Sequence, residues 1–231
     1  MDGSPVIDAL LPFKRFDQAK GRLSELLTPP EREALARLLL TDALKALTTA
    51  TAVRYVYLIS SDADAAGLAG SLGARSLAEP SGTRGLNDAL EAARRELLAR
   101  PEPPAGLLVL HADIAGIDAR AIDAFSAGAG DGPLVRLCPA RDDGTNALLL
   151  LPPAAIPFHY GRNSATAHEA AAREAGVPGE RRVVSFLQDD LDTPADIERL
   201  LASGRGGAVR ELLLSFGHGE RLSRGGRSGG G

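Results

Sequence analysis

Residues 106–113 read Gly-Leu-Leu-Val-Leu-His-Ala-Asp. The apolar run G-L-L-V-L, bounded by the prolines of 101–104 before it and a polar break after it, suits a strand buried on both faces. Such strands belong to parallel sheets covered by helices. In open sheets of that kind, ligands bind beyond the carboxyl ends of the strands. His111 and Asp113 stand at that position.

Outward from this octet the same alternation recurs. Val6–Leu11 is another buried run, followed by the loop P-F-K-R-F-D-Q-A-K-G-R-L-S over Pro12–Ser24. A helix is expected near Thr28, with Pro29 in its first turn and Glu31 completing a T-x-x-E capping box. Leu35, Leu38, Leu39, Leu44 and Leu47 fit its apolar face. Tyr55–Ser60 reads as a strand and Asp64–Leu72 as a short helix. A loop rich in Gly, Pro and Ser over Glu79–Gly85 leads into a helix over Leu86–Arg100. Beyond the octet the pattern predicts a helix over Ala119–Phe125 and strands at Leu134–Leu137 and Ala147–Leu151. A helix over Ser164–Ala175, a strand at Val183–Phe186 and a helix over Pro194–Leu201 follow. The expected fold is α/β: one domain, residues 1–203, with a mostly parallel sheet and helices on both faces.

Residues 204–231 differ in character, holding 10 of the 26 glycines and five arginines against two glutamates. They are expected to be a largely disordered tail, with Val209–Phe216 as a possible helical turn or strand, and dispensable for chemistry.

At 231 residues the chain can bury a full core without staples. Its single cysteine, Cys138, excludes an internal disulfide. No run has the apolar length of a membrane span and residues 1–10 lack a signal peptide's pattern, so a soluble cytoplasmic protein with no membrane partner is expected. A net charge of −4 argues against a broad nucleic-acid surface. Of 26 basic residues only Lys14, Lys20 and Lys45 are lysines, and two of those share one loop.

The residues after each expected strand form a chemical inventory. Lys14, Arg15, Lys20 and Arg22 follow the first strand, and His111 and Asp113 follow the central one. Arg141, Asp142, Asp143, Gly144, Thr145 and Asn146 follow Leu134–Leu137, while Asp189, Asp190 and Asp192 follow Val183–Phe186. Basic side chains neutralise phosphate oxygens. Carboxylates hold Mg2+, a hard cation that prefers oxygen ligands. Phosphoryl or nucleotidyl transfer needs both, because its catalysis is largely positioning and charge stabilisation. A compact ammonium also fits where a guanidinium fork is too large.

Plainer readings stand beside these. The lysines could mark an exposed basic loop, D-D-G-T-N-A a turn between strands, and Asp192-Thr193-Pro194 with Asp196 a capped helix start. Ser164, after Gly161-Arg162-Asn163, could cap its helix or help to seat an anion there. His159 and His168 lack zinc-ligand spacing with Cys138. The P-loop, the Rossmann glycine fingerprint and the G-x-S-x-G elbow are all absent.

The ordered series P-F-K-x-F-D-Q-A-K-x-R-L-S, G-L-N-D-A-L, strand-A-D, D-G-T-N-A-L, F-H-Y-G-R-N-S-x-x-x-H and D-L-D-T-P-A-D-I resembles the CofC family. These are guanylyltransferases of coenzyme F420 biosynthesis with a fold like the nucleotide-diphospho-sugar transferases. The resemblance, running from about Val6 to Leu201, implies transfer of GMP from GTP to phosphoenolpyruvate, 2-phospho-L-lactate or 3-phospho-D-glycerate, with release of pyrophosphate. It implies that Thr145, Gly161 and Ser164 hold the phospho-acid and that Asp113, Asp190 and Asp192 hold Mg2+. Lys14, Lys20 and Arg22 would grip the triphosphate, and Gly85-Leu86-Asn87 would approach the base. A downstream deazaflavin transferase would receive the product.

The chain departs from the family where relatives commonly carry Asp-Leu-Pro. Here Asp113-Ile114-Ala115 is expected to leave a looser loop. Two other classes compete: a molybdenum-cofactor or sugar-phosphate nucleotidyltransferase, and a non-catalytic nucleotide-binding protein. The first usually starts with L-x-A-G-x-G-x-R, which is missing. The second would have lost the lysines or carboxylates, and neither is lost.

Overall fold

The computed structural model describes residues 5–79, 82–130 and 132–217. Among these residues seven strands form one sheet: β1 (Ile7–Pro12), β2 (Val53–Ile59), β3 (Arg75–Leu77), β4 (Gly106–Leu110), β5 (Leu134–Pro139), β6 (Thr145–Leu151) and β7 (Gly179–Arg181). Their order is β3-β2-β1-β4-β6-β5-β7. Every neighbouring pair is parallel except those made by β6, which runs antiparallel to β4 and β5. From β1 the chain builds outward to β3, then returns to lay β4 on the other side of β1. The crevice of an open sheet lies at such a reversal.

The helices are α1 (Pro29–Thr49), α2 (Ala63–Ser71), α3 (Leu86–Leu98), α4 (Ala119–Ser126), α5 (Ser164–Glu174), α6 (Pro194–Ser203) and α7 (Gly207–Ser215). Period-two alternation sorts the strand residues between two faces. Ala9, Leu11, Leu58, Leu108, Leu110 and Leu149 pack with α1, α2 and α4. Leu10, Tyr57, Val109, Leu148 and Leu150 pack with α3 and α5. The start of α1 is the expected one: the Glu31 carboxylate accepts from the Thr28 N–H at 2.7 Å and from its hydroxyl at 2.8 Å.

Helix α1 is buried on a second side as well. Leu35 and Leu39 join Leu23 of the basic loop, Ala115, Leu191, Ile197 and Leu200 of α6, and Val209 and Leu213 of α7 in a third, smaller core. Helix α7 thus falls within the stretch expected to be tail, and its Val209 and Leu213 are fully buried. Residues 218–231, the rest of that stretch, lie outside the described residues.

The structure corrects some expected elements. Val183–Phe186 is not a strand. The seventh strand is Gly179–Arg181, paired parallel with β5, and Val183 is 60% exposed. Polar residues make that edge strand because Glu180 pairs with the buried Arg136 at 2.9 Å. The three-residue β3, two of its residues exposed, left no period to read. Among the described residues no helix is long and apolar enough to cross a membrane.

Candidate active site

The basic loop leaves β1 and is held down at three points. The Phe13 N–H bonds the Ile59 carbonyl at 2.9 Å, the Ser60 hydroxyl donates to the Lys14 carbonyl at 3.0 Å, and the Phe16 N–H donates to Asp62 at 3.0 Å. Lys20 takes a left-handed conformation, φ 54°. Its ammonium reaches Asp113 at 3.3 Å and Asp192 at 3.1 Å, with only 8% of the side chain exposed. Arg22, 74% exposed, lies 3.5 Å from the second oxygen of Asp192. Lys14 is exposed at the rim of a cavity of about 220 Å³, lined also by Phe13, Lys20, His111, Asp113 and Asp192. A larger cavity of about 580 Å³ opens beside Ile7, Val53 and Asp123, at the opposite ends of β1 and β2. It lacks the lysines and paired carboxylates that line the smaller one.

The two acidic segments are tied together by backbone. Ile114 and Asp190 form an antiparallel bridge, and the Leu191 N–H donates to the Asp113 carbonyl at 3.0 Å. Ala115 and Leu191 are both buried in the third core. The loop expected to be loose is therefore pinned without its proline. The capped-helix reading of Asp196 is correct, since it accepts from the Asp192 and Thr193 N–H groups. That leaves the Asp192 carboxylate free to face Lys20.

Burial is the largest influence on Asp113 and opposes its charge, but the Lys20 ammonium, His111 and hydrogen bonding together outweigh it and hold the carboxyl below its usual range. Burial likewise opposes charge on Lys20, and the two aspartates overcome it, raising its pKa. Asp190 is pushed up to about 6 by burial and by the charge of Asp113. Asn146 donates to it at 3.3 Å and to the Leu187 carbonyl at 2.9 Å.

The D-D-G-T-N-A segment is the turn between strands, and it also serves the site. Because β6 is antiparallel, its first residues, Thr145 and Asn146, return to the edge where β4 ends. The Asp143 carbonyl accepts from the Ala165 N–H at 3.0 Å, and its carboxylate accepts from Thr166 at 2.7 Å, docking the start of α5 on the hairpin. Ser164 is not the helix cap. Asn163 occupies that place at φ 55°, and Ser164, the first helical residue, is buried with its hydroxyl 3.0 Å from that of Thr145. Gly161, exposed at φ +150°, precedes them in a conformation that favours glycine. Asn87 uses both ends of its amide on the backbone of Tyr160, at 2.9 and 2.8 Å, so in this structure its side chain holds the loop before α5.

The structure thus gathers Lys14, Lys20, Arg22, Asp113, Asp190 and Asp192 on one side, and Thr145, Gly161 and Ser164 around the start of α5. Among the described residues four buried side-chain polar atoms lack a partner, and three stand here: Asp113 Oδ1, His111 Nε2 and the Tyr160 hydroxyl. The rings of His111 and Tyr160 lie 5.2 Å apart. Buried polar atoms are normally paired, so this concentration sets the region apart from the rest of the described residues. Among the described residues no three His, Cys, Asp or Glu side chains stand together as a ready metal cage. Sequence reasoning placed Asn146 at the strand end without assigning it a partner, and missed Asp62, Tyr160 and the pairing role of His168. Only the F-H-Y-G-R-N-S-x-x-x-H pattern contained a signal for the last two.

Comparison with known proteins supplies the family and the fold. Residues 7–228 match the family described as guanylyl transferase, CofC like. A phosphoenolpyruvate guanylyltransferase of Sphaerobacter thermophilus is 38% identical over 87% of this chain and 95% of its own length. A 2-phospho-L-lactate guanylyltransferase of Methanothermobacter thermautotrophicus is 35% identical over 94% of both chains. A crystal structure from Desulfovibrio desulfuricans, assigned as a nucleotide-diphospho-sugar transferase, superposes with a TM-score of 0.67 at 16% identity, covering 90% of this chain and 94% of that one. That likeness gives the fold. The matched sequence gives the family: this chain belongs to the CofC-like guanylyltransferases.

Proposed function

We propose that this site joins GMP from GTP to a phosphorylated three-carbon acid in coenzyme F420 biosynthesis, releasing pyrophosphate. Phosphoenolpyruvate is the first choice of acid, with 2-phospho-L-lactate and 3-phospho-D-glycerate as alternatives. The observation that carries the reading is the buried Lys20 ammonium between Asp113 and Asp192, beside an unpartnered carboxylate oxygen at the reversal between β1 and β4. A phosphate oxygen of the acid attacks the α-phosphorus of GTP in line, and the bond from that phosphorus to the β-phosphate oxygen breaks. Lys14, exposed at the rim, and Arg22, exposed beside Asp192, hold the outer phosphates, and Lys20 faces the charge that develops on departing pyrophosphate. Thr145, Gly161 and Ser164 seat the acid, and the Gly85–Asn87 turn faces the guanine. A phosphate monoester is largely ionised near neutral pH, with a second pKa of about 6, so no strong general base is required.

Mg2+ fits the oxygen donors here. The free Oδ1 of Asp113 and the neighbouring Asp190 and Asp192 suit a cation that typically takes one or two carboxylates and completes its shell with water and substrate phosphates. Bound there, it would supply charge neutralisation at the α-phosphate. The test follows pyrophosphate release from GTP and Mg2+ with each of the three acids, coupled to the deazaflavin transferase that would consume the product. Turnover with one acid is expected. A folded, metal-supplied protein that turns over none of them refutes the reading.

A further inference from the structure

Thr145 and Ser164 are 3% and 2% exposed, and His168, one turn beyond Ser164 on α5, is fully buried. The backbone N–H of His159 points at His168 Nε2 from 3.0 Å. A backbone N–H can only donate, so Nε2 is the acceptor, and the neutral ring carries its proton on Nδ1. Burial keeps the ring neutral, its pKa lowered to about 4. Nδ1 lies 3.1 Å from Thr145 Oγ1 and, protonated, cannot accept from it. The edge-on contact with Tyr160, 5.0 Å between centroids, holds the ring in place.

The hydroxyl pair therefore has two protons and one internal acceptor. One proton lies in the 3.0 Å bond between Thr145 and Ser164, and the other has no acceptor among the described residues. With the opposite tautomer Thr145 would donate to His168 and Ser164 to Thr145, closing the chain and leaving nothing to offer.

We propose that His168 is a positioning residue: through the His159–His168–Thr145–Ser164 chain it fixes the two hydroxyls as a hydrogen-bond donor toward an anionic oxygen of the phospho-acid. This rests on the reading that Thr145 and Ser164 seat that acid. It adds a reason why the seat prefers an anion over a ligand that donates.

Two variants separate the donor from the acceptor. The amide nitrogen of His168→Asn falls near the place of Nδ1 and keeps the donor toward Thr145. His168→Gln reaches the place of Nε2 and keeps only the acceptor for His159. With GTP saturating, His168→Gln is expected to raise KM for phosphoenolpyruvate about tenfold, and His168→Asn to recover most of that loss, with KM for GTP little changed in both. Equal impairment of both variants, no impairment, or a parallel rise in KM for GTP overturns the proposal. Nitrogen-15 NMR of the histidine-labelled wild-type protein reads the tautomer without any variant. A His168 ring protonated on Nε2 also overturns it. Failure of the wild type to turn over any acid would refute the reading of the site, whereas the tautomer bears on His168 alone.

Discussion

Asp113 carries one oxygen in an ion pair with Lys20 and one with no partner. Asp113→Asn keeps the shape and removes the charge, so kcat should fall by about 10²–10³-fold or more while the circular dichroism spectrum stays native. Near-normal turnover would remove Asp113 from the metal-holding set. His168 yields a prediction about pH. Its folded pKa of about 4 lies below the unfolded value of about 6.5, so the unfolded chain takes up the proton first. Its contribution to stability is complete above pH 6.5 and is lost as pH falls toward 4, a change of about 3 kcal/mol. Urea denaturation of wild type and His168→Gln at pH 7 and pH 4 should show the wild type losing that much more. At this scale the sequence was informative about charge. Scarce lysines and the D-L-D run pointed to Lys20, Asp190 and Asp192. It was silent about buried neutral partners, because nothing in the spacing of Thr145, Ser164 and His168 says that a hairpin and a helix will meet.

The elements show why some were legible and others were not. Long runs with both faces covered, such as β4 and β6, announce themselves through apolar content alone. The edge strand β7 is made by an ion pair between Arg136 and Glu180, which no hydrophobic pattern reveals, and the exposed Val183 imitates the missing signal. The start of α5 was legible as a helix start but not as a cap. Asn163, rather than Ser164, takes the left-handed position at φ 55°. Asn163→Ala should therefore cost about 1 kcal/mol in thermal or chemical denaturation, and Asn163→Gly should cost little or nothing. Equal losses would mean that the side chain, and not the backbone conformation, matters there.

For the whole molecule the third core matters most. It packs Leu23 of the basic loop, Ala115 and Leu191 of the two acidic segments, and Val209 and Leu213 of α7 into one cluster. Gly206, which enters α7, also lies against the loop after Asp113. A Cβ on Gly116 would come within 3.1 Å of the Gly206 Cα. Ending the chain after Ser203 should therefore destabilise it by about 3–6 kcal/mol, from two fully buried aliphatic side chains at about 1.5–3 kcal/mol each, and should impair turnover as well. A truncated chain with wild-type urea midpoint and activity would show that α7 is not needed. Composition concealed this, because glycine and arginine content suggested a tail while two apolar residues tied it to the site.

The return of the chain between β3 and β4 leaves the sheet with a seam. On one side lie strands made early in the sequence, on the other strands made late, and β1 and β4 meet along Ile7–Leu10 and Gly106–Val109. Lys20, paired with Asp113 and with Asp192, and Arg22, paired with Asp192, cross that seam, Lys20 and Asp192 lying 172 residues apart in sequence. A nucleotide seated there would touch both halves at once and act as a clasp. Amides of β1 and β4 should then exchange with deuterated solvent more slowly in the presence of GTP than without it, while those at the far edge strand β3 should hardly respond. A substrate bound there would become, for as long as it stayed, part of what holds the sheet closed.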